Sequence, residues 1–228
     1  MRNIKAAVAA LVLAASGAQA APLDCAALKT GDMPFQLTIA RHAATYRDSK
    51  GRPVAVPGRS MRQQVFRGAG GETTAFMIET PETYARVRYR NWKSVQLTAR
   101  PANVEFASVY DIDLATDQLL ARKSFDFVKT VTGSDSSQTT ETSHAVFARE
   151  EDMKLGGCSF HLLVYDIATR ISPHAQGGNV ERKLRLHYSP ELGVPLRAFV
   201  PARSVEGEMF NADQVATGIE TVFTRKEE

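Results

Sequence analysis

Chemistry in this 228-residue chain would have to come from a short inventory of side chains. Its five histidines, His42, His144, His161, His174 and His187, are scattered, and none stands at a short ligand spacing from another histidine or from a carboxylate pair. A metal needs three or four converging donors with a supporting shell, so no metal site is expected. Histidines on a wet or half-buried strand face are the plainer reading. His161 and His187 are the pair that could meet, if their strands pair across Gly177-Gly178. The Gly-x-Ser-x-Gly elbow, His-Glu-x-x-His, the Walker loop and Gly-x-Gly-x-x-Gly are all absent. Lys29-Thr-Gly31 lacks the Ser-x-x-Lys partner that would give it meaning. Acidic residues are dispersed, leaving no pair for general acid–base work. The sequence therefore nominates no catalytic residue and no cofactor.

Arg86, Arg88 and Arg90 are more specific. In a strand they share one face, about 7 Å apart at each step of two residues. With Tyr84 and Trp92 nearby, such a row could clamp a carboxylate, phosphate or sulfate. The competing reading is a solvated face or a charge-protected sheet edge.

The elements that would position these residues are mostly strands. Phe35, Leu37 and Ile39 alternate with Gln36 and Thr38, predicting a strand over Pro34–Tyr46. Arg47–Ser60, with Pro53 and Pro57, reads as a long loop or irregular hairpin. Met61–Arg67 and Thr73–Thr80 form a hairpin across Gly68–Gly71. Tyr84–Arg90, Trp92–Ala99, Val104–Ile112, Leu119–Val128 and Thr139–Arg149 continue the pattern, with Val131–Gln138 a polar turn and Glu150–Gly157 a link. Cys158–Ile171 is apolar on both faces, with Phe160, Leu162 and Val164 on one and Leu163, Tyr165 and Ile167 on the other. That is the signature of a strand covered on both sides. Val180–Tyr188, Leu196–Val200 and Ile219–Thr224 follow, and Ala21–Gly31 could form a turn of helix around Cys25. Ten to twelve strands on short links, with no long amphipathic helix, predict an all-β antiparallel meander. A strongly curved sheet, half-barrel or β-barrel fits best, and a two-sheet sandwich is the alternative.

Hydrophobic content of 43% with 23% charged residues describes a folded chain. Met1-Arg-Asn-Ile-Lys5, an apolar stretch over Ala6–Ala15 and Ala18-Gln-Ala20 read as a cleaved signal peptide, 1–20, ahead of one β domain, 21–228. No other stretch is long and apolar enough for a transmembrane helix. The formal charge of +3 falls to about +1 without Arg2 and Lys5, too little to hold nucleic acid by a long-range field. Export to the periplasm makes Cys25 and Cys158 an expected disulfide, with metal or redox chemistry the sharper alternative.

Phe160–Val200 carries a strand ending in an aromatic residue, the turn Ser189-Pro-Glu-Leu-Gly193, then Gly193-x-Pro195-x-Arg197 and a further strand. This resembles the later part of the periplasmic lipoprotein-carrier (Lol-type) half-barrels and related exported β proteins. The resemblance implies an antiparallel sheet curled around an apolar cavity that shelters acyl chains. The leading expectation is a non-catalytic periplasmic binding or carrier protein for a lipid-like or amphipathic ligand. Phe106, Phe125, Phe127, Phe160, Leu162 and Val164 would line its interior, with Arg86, Arg88 and Arg90 touching an anionic group. A structural or interaction module docking an envelope protein is second. An envelope hydrolase is third, and would need His161, His187 and a carboxylate in one cleft.

Overall fold

Alternation along the chain builds a wall with two unlike faces. The computed structural model describes residues 23–31, 33–47, 52–68, 72–78, 84–100, 104–114, 116–172, 180–205 and 208–221. The expected leader, the 69–71 turn and Gly177-Gly178 lie outside them. The strands are β1 (Phe35–Arg41), β2 (Ala44–Arg47), β3 (Pro53–Val56), β4 (Arg59–Arg67), β5 (Glu72–Ile78), β6 (Tyr84–Arg90) and β7 (Lys93–Arg100). They continue with β8 (Val104–Tyr110), β9 (Ser124–Gly133), β10 (Gln138–Leu155), β11 (Cys158–Ser172), β12 (Val180–Ser189), β13 (Val194–Val205) and β14 (Glu208–Thr221). Helices α1 (Cys25–Thr30) and α2 (Thr116–Ala121) are six residues each.

Twelve of the strands close an antiparallel barrel in the order β1-β14-β13-β12-β11-β10-β9-β8-β7-β6-β5-β4, and β4 returns to β1 through Phe35↔Val65 to Arg41↔Arg59. β2 and β3 form a separate hairpin. Directly opposed residues share a face, so the register carries sidedness around the wall. Leu37 faces Gln63, Gln63 faces Met77, Ala75 faces Val87 and Val87 faces Leu97. These positions point into the lumen. Outward positions include exposed Arg62, Glu105, Asp126, His144 and Lys183.

In antiparallel order the starts of β1, β5, β7, β9, β11 and β13 lie at one end with the ends of the strands between them. α1 precedes β1 and α2 joins β8 to β9, so both helices sit at that end. Asp24 caps α1, accepting from the Ala26 and Ala27 N–H groups at 3.0 Å. Leu28 turns into a cluster with Phe35, Leu37, Val65, Phe160, Leu162, Leu192 and Ile219. α2 puts Leu119 against Phe125, Phe127, Leu163 and Tyr165 in a second cluster, and the Tyr165 hydroxyl donates to the Leu119 carbonyl at 3.0 Å.

β11 joins the two clusters. It pairs with β12 only from Leu163 to Ile171, while Cys158–Leu162 pair with β10 alone. In the wall its buried side is Leu163 and Tyr165; beyond Val164 it is Leu162, Phe160 and Cys158. The four residues Leu162–Tyr165 are all buried, so the two-faced apolar run marks the change from wall to cap. A bulge between Phe147 and Arg149 accompanies the change. The hairpin tip reaches β14, where a Cβ on Gly156 would lie 3.0 Å from the Ile219 carbonyl. The Cys25–Cys158 disulfide, with Cα atoms 5.5 Å apart, staples α1 to the tip of this hairpin.

Several expectations need correction. Leu119 and Leu120 belong to α2, and β9 starts at Ser124 and runs to Gly133. Thr116-Asp-Gln-Leu-Leu-Ala has helix-forming Gln, Leu and Ala after a residue suited to a helix start, a signal that the neighbouring strand pattern obscured. Glu150–Leu155 extends β10 instead of linking it to β11. The strand expected over 34–46 breaks at His42-Ala43, and the proline-bearing loop holds the β2–β3 hairpin. Closure through β14 and β4 replaces the sandwich and half-barrel alternatives.

Candidate functional site

The lumen is divided between a packed aromatic side and an open one. Phe125 and Phe127 point inward from β9, and Trp92, in the turn between β6 and β7, packs across both at centroid distances of 5.5 and 5.2 Å. Tyr110 lies 5.8 Å from Trp92, and Tyr165 lies 5.8 Å from Phe125. Across the barrel a cavity of about 260 Å³ is lined by Ile39, Gln63, Met77, Val87, Leu97 and Leu196, with Tyr89, Ser94 and Gln214 adding polar atoms. An apolar cavity of ~150 Å³ accepts benzene, so this one holds roughly ten heavy atoms. Burial pushes the Tyr89 hydroxyl up to about 12, with Tyr188 adding to the effect, so it stays protonated at neutral pH.

Farther along β9 from Phe125 and Phe127, on the same parity, begins a charged group. Lys129, Glu141 and Arg182 stand on β9, β10 and β12. Glu141 Oε2 accepts from Lys129 Nζ at 3.1 Å and from Arg182 Nη2 at 3.2 Å. Glu141 is only 12% exposed. Beneath them Ser143 and Thr169 join by a buried hydroxyl–hydroxyl bond of 2.9 Å. The Tyr110 hydroxyl donates to the Ser94 carbonyl at 3.3 Å, connecting this group to the cavity wall. Burial raises Tyr110 above its ordinary phenol value, and the Glu141 charge adds to the shift.

These charged residues escaped the sequence reading, although alternation carries the signal. Lys129 has the same parity as Phe125 and Phe127, Glu141 that of Ser143 and Ala145, and Arg182 that of Leu184 and Leu186. A charge on the apolar parity of a strand is the anomaly to look for.

The residues singled out from sequence fall in different places. Arg86, Arg88 and Arg90 do share one face, but it is the outer one. There Glu72 accepts from Arg88 at 3.2 Å and from Arg90 at 3.1 Å, and Gln96 takes a further Arg88 bond at 3.3 Å. Phe125 and Phe127 lie together in the lumen. Phe106 has the inward register, opposite Leu97 and Gly133, and is 38% exposed. Phe160 and Leu162 pack in the cap with α1, and Val164 is buried on the side of β11 opposite Tyr165. The expected lining therefore divides between lumen, cap and wall.

The histidines do not converge. His187 opposes Val164 and, almost fully buried, bonds Glu151 at 2.5 Å, while Arg149 donates to the other Glu151 oxygen. His161 lies three residues farther along on the opposite parity, 3.5 Å from Glu150 and from Asp152. The pairing of β11 with β12 ends before His161, so the anticipated meeting of His161 and His187 does not occur. Among the described residues no group of three or more His, Cys, Asp or Glu side chains could hold a metal ion.

A larger concavity of about 430 Å³ lies on the outer wall, where His144, Val146, Asp166, Lys183, Arg185 and Phe199 contribute to its lining. Asp166 accepts both Arg185 bonds there, at 2.7 and 3.0 Å.

No protein-family model and no curated protein matches the chain. Among solved structures it is similar to the hypothetical lipoprotein YmcC from Escherichia coli, at 8% identity over 83% of this chain and 88% of that one, with a TM-score of 0.42.

Proposed function

We propose that this protein is an exported binding or carrier protein that holds a lipid-like or amphipathic molecule inside its barrel. The observation that carries the reading is the lumen cavity of about 260 Å³, apolar on most sides and edged by a few polar groups, which is the usual make-up of a small-ligand site. Export rests on the leader over residues 1–20, and the cystine at Cys25–Cys158 suits an oxidising compartment such as the periplasm. Phe125, Phe127 and Phe106 contribute to the lumen wall, while Phe160 and Leu162 support it through the cap and Val164 is buried in the wall of β11. Arg86, Arg88 and Arg90 take no part in ligand binding on this reading, because they lie on the outer face of the wall, where Glu72 and Gln96 take up Arg88 and Arg90.

Native mass spectrometry of protein purified from the periplasm without detergent tests the reading. A discrete additional mass released by denaturation is the expected result. A ligand-free monomer that also fails to bind fatty acids, neutral lipids or hydrophobic dyes saturably would sink it.

A second reading, docking of an envelope protein, draws on the outer concavity, where Val146 is 41% exposed. A stable complex in envelope extract that Val146→Asp abolishes, with no small ligand present, would favour it. Docking along an edge of the barrel sheet has no support, because closure leaves that sheet no free edge.

A further inference from the structure

The lumen holds more hydrogen-bond donors and positive charge than its own residues use. Lys129 and Arg182 share one oxygen of one carboxylate, leaving the trio a net positive charge in a partly desolvated interior. Among the described residues, four buried side-chain polar atoms lack a partner: Arg41 Nε, Trp92 Nε1, Thr98 Oγ1 and Arg182 Nε. Thr98 faces outward, opposite Arg86 and Glu105. The other three belong to residues of the lumen side: Arg41 follows Ile39 in parity on β1, Trp92 covers Phe125 and Phe127, and Arg182 bonds Glu141. All three are nitrogen donors. Arg41, at the end of β1, and Trp92, just before β7, lie at opposite ends of the barrel, so only Arg182 Nε belongs to the charged trio. A buried donor without an acceptor is costly, and the group that complements it beside a surplus cation is an oxyanion, which only accepts.

Resting on the binding function proposed above, we infer that the ligand is an amphipathic anion. Its oxyanion head group, a carboxylate in the simplest case, sits on Lys129 and Arg182, and its apolar chain of about ten heavy atoms fills the cavity beside Tyr89 and Leu97. Tyr110 links the two, since Ser94 lines the cavity and its carbonyl accepts from the Tyr110 hydroxyl, while Tyr110 stands opposite Lys129 in the sheet. The sequence pointed to Arg86, Arg88 and Arg90 for anion recognition. The structure turns that row outward, where Glu72 meets Arg88 and Arg90, and leaves unmet demand indoors at Arg182.

Paired titrations with decanoate and 1-decanol test this, followed by calorimetry and by the fluorescence of Trp92, the chain's single tryptophan, which lies on the lumen cluster. Decanoate is expected to bind at least tenfold more tightly than decanol at pH 7.5, the gain of one charge-assisted hydrogen bond. Arg182→Gln should weaken decanoate about 10–100-fold and leave decanol unchanged. Glu141→Gln removes the competing carboxylate while keeping an acceptor, and should tighten decanoate. That variant tests the idea through a gain, which misfolding cannot imitate. Equal affinities for the two ligands, or a preference that survives Arg182→Gln, overturn the anion site while leaving the binding function standing. Failure of both ligands to bind overturns both.

Discussion

At the residue scale, the charges on the two sides of the wall do different work. Outside, several long cations meet an acid: Arg185 with Asp166, Arg197 with Asp213, and Arg88 and Arg90 with Glu72. The Arg185 guanidinium holds Asp166 below the usual carboxylate range, with burial opposing it weakly. Because the folded-state value is depressed, the pair's contribution is complete above the unfolded value near pH 4 and is lost as pH falls through the folded one. The side chains are 43% and 49% exposed, which limits the pair to about 0.5 kcal/mol. Arg185→Gln should therefore lower the urea midpoint slightly at pH 7 and leave it unchanged relative to the parent at pH 2. A difference that grows on acidification would show that Asp166 is not stabilised by Arg185. Inside, Lys129 and Arg182 have one acid between them, and this asymmetry makes the lumen the more informative surface.

At the element scale, the cap depends on two short pieces that could not stand alone. A six-residue helix is far below the length that holds in water unaided. α1 persists because Asp24 caps it, Leu28 is buried and the cystine ties its first residue to β11. The cystine spans 133 residues, for which chain entropy gives at most about 5 kcal/mol. Reduction, or Cys25→Ala with Cys158→Ala, should lower stability by up to that amount and make the Cys25–Thr30 segment the first site of limited proteolysis. Unchanged melting and digestion would show that the cap holds without its staple. The β10–β11 tip offers a finer comparison. Gly156 and Gly157 both have positive φ, at 56° and 85°, but only Gly156 faces a neighbour, the Ile219 carbonyl and side chain. Gly157→Ala should cost about 1 kcal/mol from conformation alone. Gly156→Ala should cost about 2–4 kcal/mol because it also forces the tip away from β14. Equal denaturant midpoints for the two variants would mean that the tip does not rest on β14.

At the scale of the whole molecule, closure explains why the interior can remain partly open. A closed sheet has no edge to protect, and its backbone groups are paired around the ring, so interior side chains need not pack to capacity everywhere. Here they fill the capped end and the β9–β11 side and leave a cavity against β4–β7 and β13. Saturation with a bound amphipath at one hundred times its dissociation constant adds about 2.7 kcal/mol, which for a barrel of this size raises the melting temperature by roughly 5–10 °C. A melting curve insensitive to every ligand that binds in titration would place those ligands outside the folded lumen.

Much of this was legible in the sequence. Alternation placed Phe35, Leu37 and Ile39 on one face and put Arg86, Arg88 and Arg90 together opposite Val87; of the Cys158–Ile171 run expected to be covered on both sides, Leu162–Tyr165 is. Two isolated cysteines, read with an expected leader, sufficed for the disulfide. These features are local: the side chain of each residue fixes them through the two-residue period of a strand. Which strands meet is a different matter, because the backbone hydrogen bonds that join β1 to β4 and β14 carry no sequence label. Parity relates residues of one strand and does not say which parity is the inside. Tertiary structure alone therefore decided that the arginine row faces water, that His161 and His187 stay apart, and that Lys129, Glu141 and Arg182, from three strands, share one interior.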